Sequence, residues 1–311
     1  MINGVLNIYK EPGFTSHDVV AKLRGIVKQK KIGHTGTLDP DAEGVLPVCL
    51  GKATKLCDML ADETKTYEAV LLLGRVTDTQ DTSGKILAEQ PVLCTEEEVS
   101  RCLEGFVGAK LQIPPMYSAL KQNGKKLYEL AREGKEVERR PRPVHFYEIT
   151  ALKMELPRVW LKVTCSKGTY IRTLCHDIGE QLGCGGCMEH LTRTRVGNFE
   201  VKNARRLGEV QLMTDQGRLG EWISRLDEVF GGLAAFHTCR EADKTARNGG
   251  RLTVGQVQEA VPEGSEEIKC RLYDSTGAFI GIYRYNTAEA SFLLWKMFYD
   301  AEENTEALPG K

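Results

Sequence analysis

Nowhere in the 311 residues do eighteen apolar residues run together, and the opening Met1-Ile2-Asn3-Gly4-Val5 holds neither a basic stretch nor a long apolar one. A membrane-spanning helix needs about 20 apolar residues and a secretory leader needs a charged start and an apolar centre, so a soluble, cytoplasmic protein with no membrane contact is expected. Cysteine is too sparse for a disulfide scaffold. The ten are scattered, and Cys165 and Cys175 sit inside apolar patterns, as reduced core thiols do. There is no internal repeat and no low-complexity tract. Neither a glycine-rich phosphate loop nor a second acidic cluster, such as phosphotransfer sites use, is present.

What is present is an ordinary globular composition, 41% apolar and 27% charged. The length exceeds one typical domain, which predicts a large domain with a small one appended. The net charge of −1 hides a segregation along the chain. Residues 19–38 hold Lys22, Arg24, Lys28, Lys30 and Lys31 without an acid, and residues 121–147 hold eight Lys or Arg against four Glu. Acid collects in residues 78–104 and beyond 257. Folded onto one face, the basic blocks make a phosphate-binding footprint; a solvated charged surface is the plainer alternative.

Periodicity places the elements. Thr15 and Asp18 form a capping box before a stripe of Val19, Val20, Leu23, Ile26 and Val27, predicting a helix over 16–30. Residues 33–44 are rich in Gly, Asp and Pro and read as loop. A short helix near 53–60 precedes an alternating strand, 66–73, with Tyr67, Ala69, Leu71 and Leu73 on one face. A capping box at Thr95 and Glu98 opens another helix, followed by a strand over 107–113. Residues 114–143 are basic, bounded by proline and carry a weak helix over 125–132, the pattern of an excursion from a sheet. A hairpin of strands over 144–154 and 159–165, a helix over 170–182 and a last helix near 221–229 follow. Phe230-Gly231-Gly232 marks a boundary, and strands over 268–273 and 278–285 predict a small β module. Strands and helices without strict βαβ alternation give the α+β class.

Chemistry concentrates in Gly33-His34-Thr35-Gly36-Thr37-Leu38-Asp39-Pro40-Asp41-Ala42-Glu43-Gly44, where Asp39 is fixed by a following proline and flanked by glycines. Four further stretches accompany it: Leu6-Asn7-Ile8-Tyr9-Lys10-Glu11-Pro12-Gly13-Phe14-Thr15-Ser16, Lys65-Thr66-Tyr67-Glu68-Ala69, Lys167-Gly168-Thr169-Tyr170-Ile171-Arg172-Thr173-Leu174 and His190-Leu191-Thr192-Arg193-Thr194. In content and order these resemble the TruB family of pseudouridine synthases over residues 3–230. The resemblance implies a mixed, mainly antiparallel sheet flanked by helices in residues 1–230, and a small PUA-like RNA-binding domain with a tail in residues 231–311. It implies isomerisation of the T-loop uridine of tRNA, position 55, by a monomer that needs no protein partner, cofactor or metal. It also implies roles: Asp39 the catalytic carboxylate, Tyr67 stacked on the base, Arg172 paired with Asp39, Leu191 packed on the other side, His34 inserted into the T-loop, and Tyr170 and Lys10 lining the pocket. Asp41 and Glu43 depart from the family's usual uncharged residues, and the apolar stretch 288–298 from its usual ending.

The physics suits those roles. Uridine becomes pseudouridine when N1–C1′ breaks and C5–C1′ forms, so no atom has to come from a cofactor. A carboxylate can assist by adding to the base or by acting at the sugar. Burial would raise its pKa and disarm it, and an arginine that engages it through two donors opposes that shift. Extruding a nucleotide costs a few kcal/mol, and stacking on an aromatic ring returns about 1–3 kcal/mol.

Three other readings compete. Asp39, Asp41 and Glu43 could hold a divalent ion for nuclease chemistry. Cys184 and Cys187, with Cys175 and His190, could hold zinc, although a single CxxC is a weak signal. A non-catalytic factor could grip and fold tRNA with the basic blocks and the C-terminal module.

Overall fold

The computed structural model describes residues 1–122, 124–261 and 267–299. The chain divides into two compact units. One comprises Asn7–Val48 and Leu56–Glu221; the other comprises Met1–Leu6, Cys49–Lys55 and the chain from Trp222 onward. Among the described residues no helix is long and apolar enough to cross a membrane.

The larger unit is built on a mixed, mainly antiparallel sheet, as the α+β reading expects. Its strands lie in the order Gly4–Lys10, Glu43–Leu50, Gly186–Val196, Lys65–Leu73, Arg158–Cys165, Arg142–Glu155 and Gly108–Gln112. The second and third of these are paired in parallel, with Thr192 opposite Glu43 and Arg193 opposite Gly44. The Lys65–Leu73 strand is embedded between two antiparallel neighbours, and Tyr67, Ala69, Leu71 and Leu73 all enter the main buried cluster. The alternation read from the sequence is therefore the pleat of a strand with one face on the core.

Both predicted capping boxes form. Thr15 Oγ1 accepts from the Asp18 amide at 3.1 Å while Asp18 Oδ2 accepts from the Thr15 amide at 2.9 Å, and Thr95 and Glu98 repeat the arrangement. The first helix, Ser16–Val27, ends earlier than its periodicity predicts because Lys28 takes a left-handed φ of 49°. The Ile171–Gln181 helix lies within its predicted span. Residues 33–44 are not wholly loop: short strands end at His34 and begin at Glu43. The excursion carries a two-residue hairpin, Lys121–Gln122 with Lys125–Lys126, and a helix over Leu127–Arg132.

One assignment fails, and one helix has no counterpart in the sequence reading. Residues 221–229 form no α-helix but a 3-10 turn, a strand over Ile223–Ser224 and a second 3-10 turn. Ile223 and Ser224 are drawn into a ladder with Leu6 and Val5, tertiary pairing that overrides local preference. The α-helix in this region is Leu207–Asp215, whose interior Gly208 and Thr214 weaken its signal.

In the smaller unit a five-stranded sheet runs Ala234–His237, Ile268–Tyr273, Phe279–Asn286, Ser291–Met297 and Leu252–Thr253. This is the small PUA-like β fold. The apolar stretch near 292 is a strand of that sheet, with Phe292 fully buried beside Phe236, Leu272 and Tyr283. Its apolar character is core packing.

Candidate active site

Each of the five motif stretches lies on, or feeds, one of five adjacent strands: Lys10 ends the first, the Asp39 loop leads into the second, Leu191 and Arg193 lie on the third, Tyr67 on the fourth, and the fifth runs into the Arg172 helix. The register brings Leu191 opposite Ala69 and Arg193 opposite Tyr67. Segments far apart in sequence thus meet at one place because the sheet orders them so.

The upstream motif proves to be a clamp on the Asp39 loop. Ser16 Oγ accepts from the Leu38 amide at 2.9 Å, and the Gly13 amide donates to the Pro40 carbonyl at 3.0 Å. Lys10 is fully buried, and its Nζ donates to the carbonyls of Pro40 at 2.9 Å, Ala42 at 2.5 Å and Glu11 at 3.1 Å. All three ammonium protons are used on backbone, so Lys10 holds the loop where the resemblance had it line the pocket. Burial pulls its pKa down to about 8, with Asp39 and Asp41 pulling the other way.

Arg172 lies in the first turn of its helix and is almost wholly buried. Its Nε stands 3.0 Å from Asp39 Oδ2 and its Nη2 donates to Asp39 Oδ1 at 3.3 Å, the two-pronged pairing expected. Nη2 also donates to the Tyr117 carbonyl at 2.8 Å, and Nη1 to the Thr79 carbonyl at 3.0 Å and to Asp81 Oδ2 at 3.3 Å. The side chain of Arg172 is 5% exposed and that of Asp39 42%, so the cation is set into the protein and the carboxylate opens outward. Burial still pushes the Asp39 pKa up, Arg172 opposes it, and Asp81 adds to the rise.

Asp81 has no place among the residues read from the sequence. Its Oδ1 accepts from Thr79 Oγ1 at 2.7 Å and from the Ser83 amide at 3.0 Å, a tight turn that aims Oδ2 at Arg172. The signal available was Asp-Thr-Gln-Asp-Thr-Ser-Gly over residues 78–84, a turn composition indistinguishable from surface loop until the fold brings it to Arg172.

Tyr67 is only 8% exposed and shares the buried cluster with Leu38, Ala42 and Leu191. Burial raises its pKa against the pull of the Arg193 charge. Asp39 is near enough to Tyr67 to raise that pKa too. His34 accepts from the Gly36 amide at 3.3 Å through Nδ1 and meets His17 edge-on at 5.3 Å. Burial first, then His17 and Arg193, hold its pKa low, which favours a neutral imidazole. Tyr170 caps the Arg172 helix, its amide donating to Gln112 Oε1 at 2.8 Å and its carbonyl accepting from Gln112 Nε2 at 3.0 Å.

The rival ligand sets do not assemble. Among the described residues no three His, Cys, Asp or Glu side chains gather as a metal site. Asp39 faces Arg172, while Glu43 accepts from Thr192 and pairs with His190 Nε2 at 3.1 Å, so the carboxylates of this loop diverge. Cys184 Sγ donates to the Gly185 carbonyl, and burial raises the Cys187 thiol to about 11.

Residues 24–171 match the family model described as TruB family pseudouridylate synthase, N-terminal domain, and residues 172–230 match the tRNA pseudouridylate synthase B C-terminal domain. A protein of Lachnoclostridium phytofermentans named tRNA pseudouridine synthase B is 49% identical over 306 residues, covering 96% of this chain and 100% of the relative. The chain belongs to the TruB family of pseudouridine synthases. The synthase B of Alkaliphilus oremlandii is 51% identical over 283 residues, 91% of this chain and 94% of its own. Among solved structures, a Cbf5-Nop10-Gar1 complex matches with a TM-score of 0.72 at 27% identity, covering 96% of this chain and 86% of the other. An H/ACA RNP bound to a substrate RNA containing 2′-deoxyuridine matches equally, with a TM-score of 0.72 at 25% identity over 96% and 85% of the two chains. This TruB-family chain therefore has the pseudouridine synthase fold, and its Asp39 loop, Tyr67 strand and Arg172 helix lie within the matched residues.

Proposed function

We propose that the protein isomerises the T-loop uridine of tRNA, position 55, to pseudouridine, with Asp39 as the catalytic carboxylate. The observation that carries this reading is a half-open carboxylate held by a buried guanidinium at 3.0 Å within a TruB-family chain. The reaction breaks N1–C1′, joins C5 to C1′, removes the C5 proton and returns one to N1, so atoms balance without a cofactor or metal. Asp39 lowers the barrier by adding to the base or by acting at the sugar. Tyr67 supports the extruded base on one side and Leu191 on the other, His34 enters the loop the nucleotide has left, and Tyr170 walls the pocket. Arg172 holds Asp39 in place, with Asp81 holding Arg172 in turn.

Residues 1–230 form the catalytic region in this reading, and the chain from residue 231 on is an RNA-binding module. The basic stretches 19–38 and 121–147 grip T-arm phosphates, and the protein works as a monomer in the cytoplasm without a protein partner. The test is incubation with unmodified tRNA, mapping of pseudouridine at single-nucleotide resolution, and repetition with Asp39→Ala. Product at one T-loop position with the parent and none with the variant is expected; product from the variant refutes the role of Asp39. Binding should also weaken steeply with salt, because phosphate contacts release counterions.

A further inference from the structure

We propose that His17 is a positioning residue for the isomerisation: packed edge-on against His34, it sets the direction of the imidazole that enters the T-loop. The proposal rests on the role of His34 proposed above. The two rings meet with centroids 5.3 Å apart and planes at 82°, the edge-to-face arrangement that aromatic rings prefer to a face-to-face sandwich. His34 is half-buried and His17 exposed, so the pair reaches the surface through His17. The contact is a packing of ring edge on ring face, which a ring without nitrogens can also make.

A side chain that enters RNA loses least entropy on binding if it is aimed beforehand. His34 has one anchor in its own loop, where Nδ1 accepts from the Gly36 amide at 3.3 Å. An amide offers only a proton, so Nδ1 presents its lone pair and the neutral ring carries its proton on Nε2. The anchor is firm, because the Gly36 carbonyl accepts from Nη2 of the buried Arg193 at 3.2 Å. One hydrogen bond of that length still lets the ring tilt about it, and the edge of a second ring removes that freedom. His17 is itself held by the start of its helix. It lies between Ser16, whose Oγ accepts from the Leu38 amide at 2.9 Å, and Asp18, which closes the capping box with Thr15. The same helical turn therefore fixes the residue before Asp39 and supports the His34 ring, so the carboxylate and the inserted imidazole are placed from one support.

The test is a double-mutant cycle on the full chain with unmodified tRNA. It compares the parent, His17→Ala, His17→Phe, His34→Ala and the His17→Ala/His34→Ala double variant in single-turnover rate at saturating tRNA, tRNA affinity and melting temperature. His17→Ala is expected to slow the step by about 3–10-fold, what one aromatic pair contributes, with affinity changed less than about twofold. His17→Phe keeps an edge against His34 and is expected to run within about twofold of the parent. The double variant is expected to run within about twofold of His34→Ala, because the ring through which His17 acts is already gone. Losses that multiply would overturn the proposal, as would a parental rate in His17→Ala or a His17→Phe rate as low as that of His17→Ala. Melting temperatures within about 2 °C of the parent are expected, since His17 is exposed and the capping box stays intact. Should His17→Ala melt more than about 5 °C lower, the cycle decides alone, because a fold defect multiplies with His34→Ala and a positioning defect does not. A parental rate in His34→Ala, or no pseudouridine from the parent, would remove the reading on which the proposal rests, outcomes distinct from a multiplicative cycle.

Discussion

Two aspartate–arginine pairs in this molecule are built from the same atoms and inverted in their surroundings. In the PUA-like unit Asp274 is 0% exposed and Arg247 34%, whereas in the catalytic unit Arg172 is buried and Asp39 open. Asp274 is saturated. Its Oδ1 accepts from the amides of Thr276 and Ala278, both at 2.9 Å, and from Thr276 Oγ1 at 2.6 Å, while Oδ2 accepts from Arg247 Nη2 at 2.6 Å. Burial pulls its pKa up, but the bonds from Thr276, Arg247 and the amides outweigh it and hold the group below the usual carboxylate range. Asp39 receives donors from Arg172 alone among the described residues, and burial wins. A carboxylate used to hold a turn has its lone pairs filled. One used for chemistry keeps them unfilled and faces outward, with a guanidinium behind it that opposes the upward pull of burial.

Replacing each pair in turn should separate the two. Asp39→Asn should lower the single-turnover rate by on the order of 10³-fold or more while the melting temperature holds, since little of the fold leans on that carboxylate. A folded, active variant would collapse the distinction. Arg172→Lys keeps the charge but not the fork, and strands the Thr79 and Tyr117 carbonyls; a loss of about 100-fold in rate is expected, read in the same assay. Asp274→Ala should reverse the pattern, costing about 3 kcal/mol in denaturant unfolding through donors left unpaired, with the rate at 25 °C nearly unchanged. Asp81→Asn should slow the step by about tenfold and move its acid limb to lower pH, because Asp81 is one cause of the raised Asp39 pKa; an unmoved limb would assign that limb to another group.

The pH dependence carries opposite signs in the two places. Asp39, raised in the folded protein, loses its charge on acidification above the ordinary carboxylate value, so activity should fall there first. Its charged form costs stability at neutral pH, and that cost disappears as the group protonates. Asp274, lowered in the folded protein, contributes stability that is complete above about pH 3.9 and is lost as pH falls toward its own pKa. Activity measured against circular dichroism should therefore show inactivation at a higher pH than unfolding.

Much of this was legible before the fold was known, for identifiable reasons. Asp39 and Arg172 stood in motifs whose residue types suit one chemistry, and the capping boxes at Thr15 and Thr95 are local signals that need no tertiary help. Asp81 was not legible, because what makes it matter is the far end of an arginine 91 positions away. The Gly186–Val196 strand was noticed only as a motif, since His190, Thr192 and Arg193 are polar types and Arg193 is buried where periodicity expects an apolar side chain. That Lys10 spends its amine on the Pro40, Ala42 and Glu11 carbonyls was not legible either, because sequence does not reveal which way an amine points. The false helix over 221–229 shows the converse, an acceptable local pattern claimed by a distant strand.

At Gly44 the strand leaving the Asp39 loop runs so near its parallel neighbour that a Cβ would sit 2.3 Å from the Arg193 carbonyl oxygen, on a backbone with φ of +104°. No methyl group fits there. The spacing between the strand that leaves the Asp39 loop and the strand that bears Arg193 is therefore set by a hydrogen atom. Mutational drift can rework many of the surrounding side chains and be repaired by repacking, but a substitution here wedges the two strands apart, and the least tolerant position of the site is one that bears no charge and has no side chain with which to touch RNA.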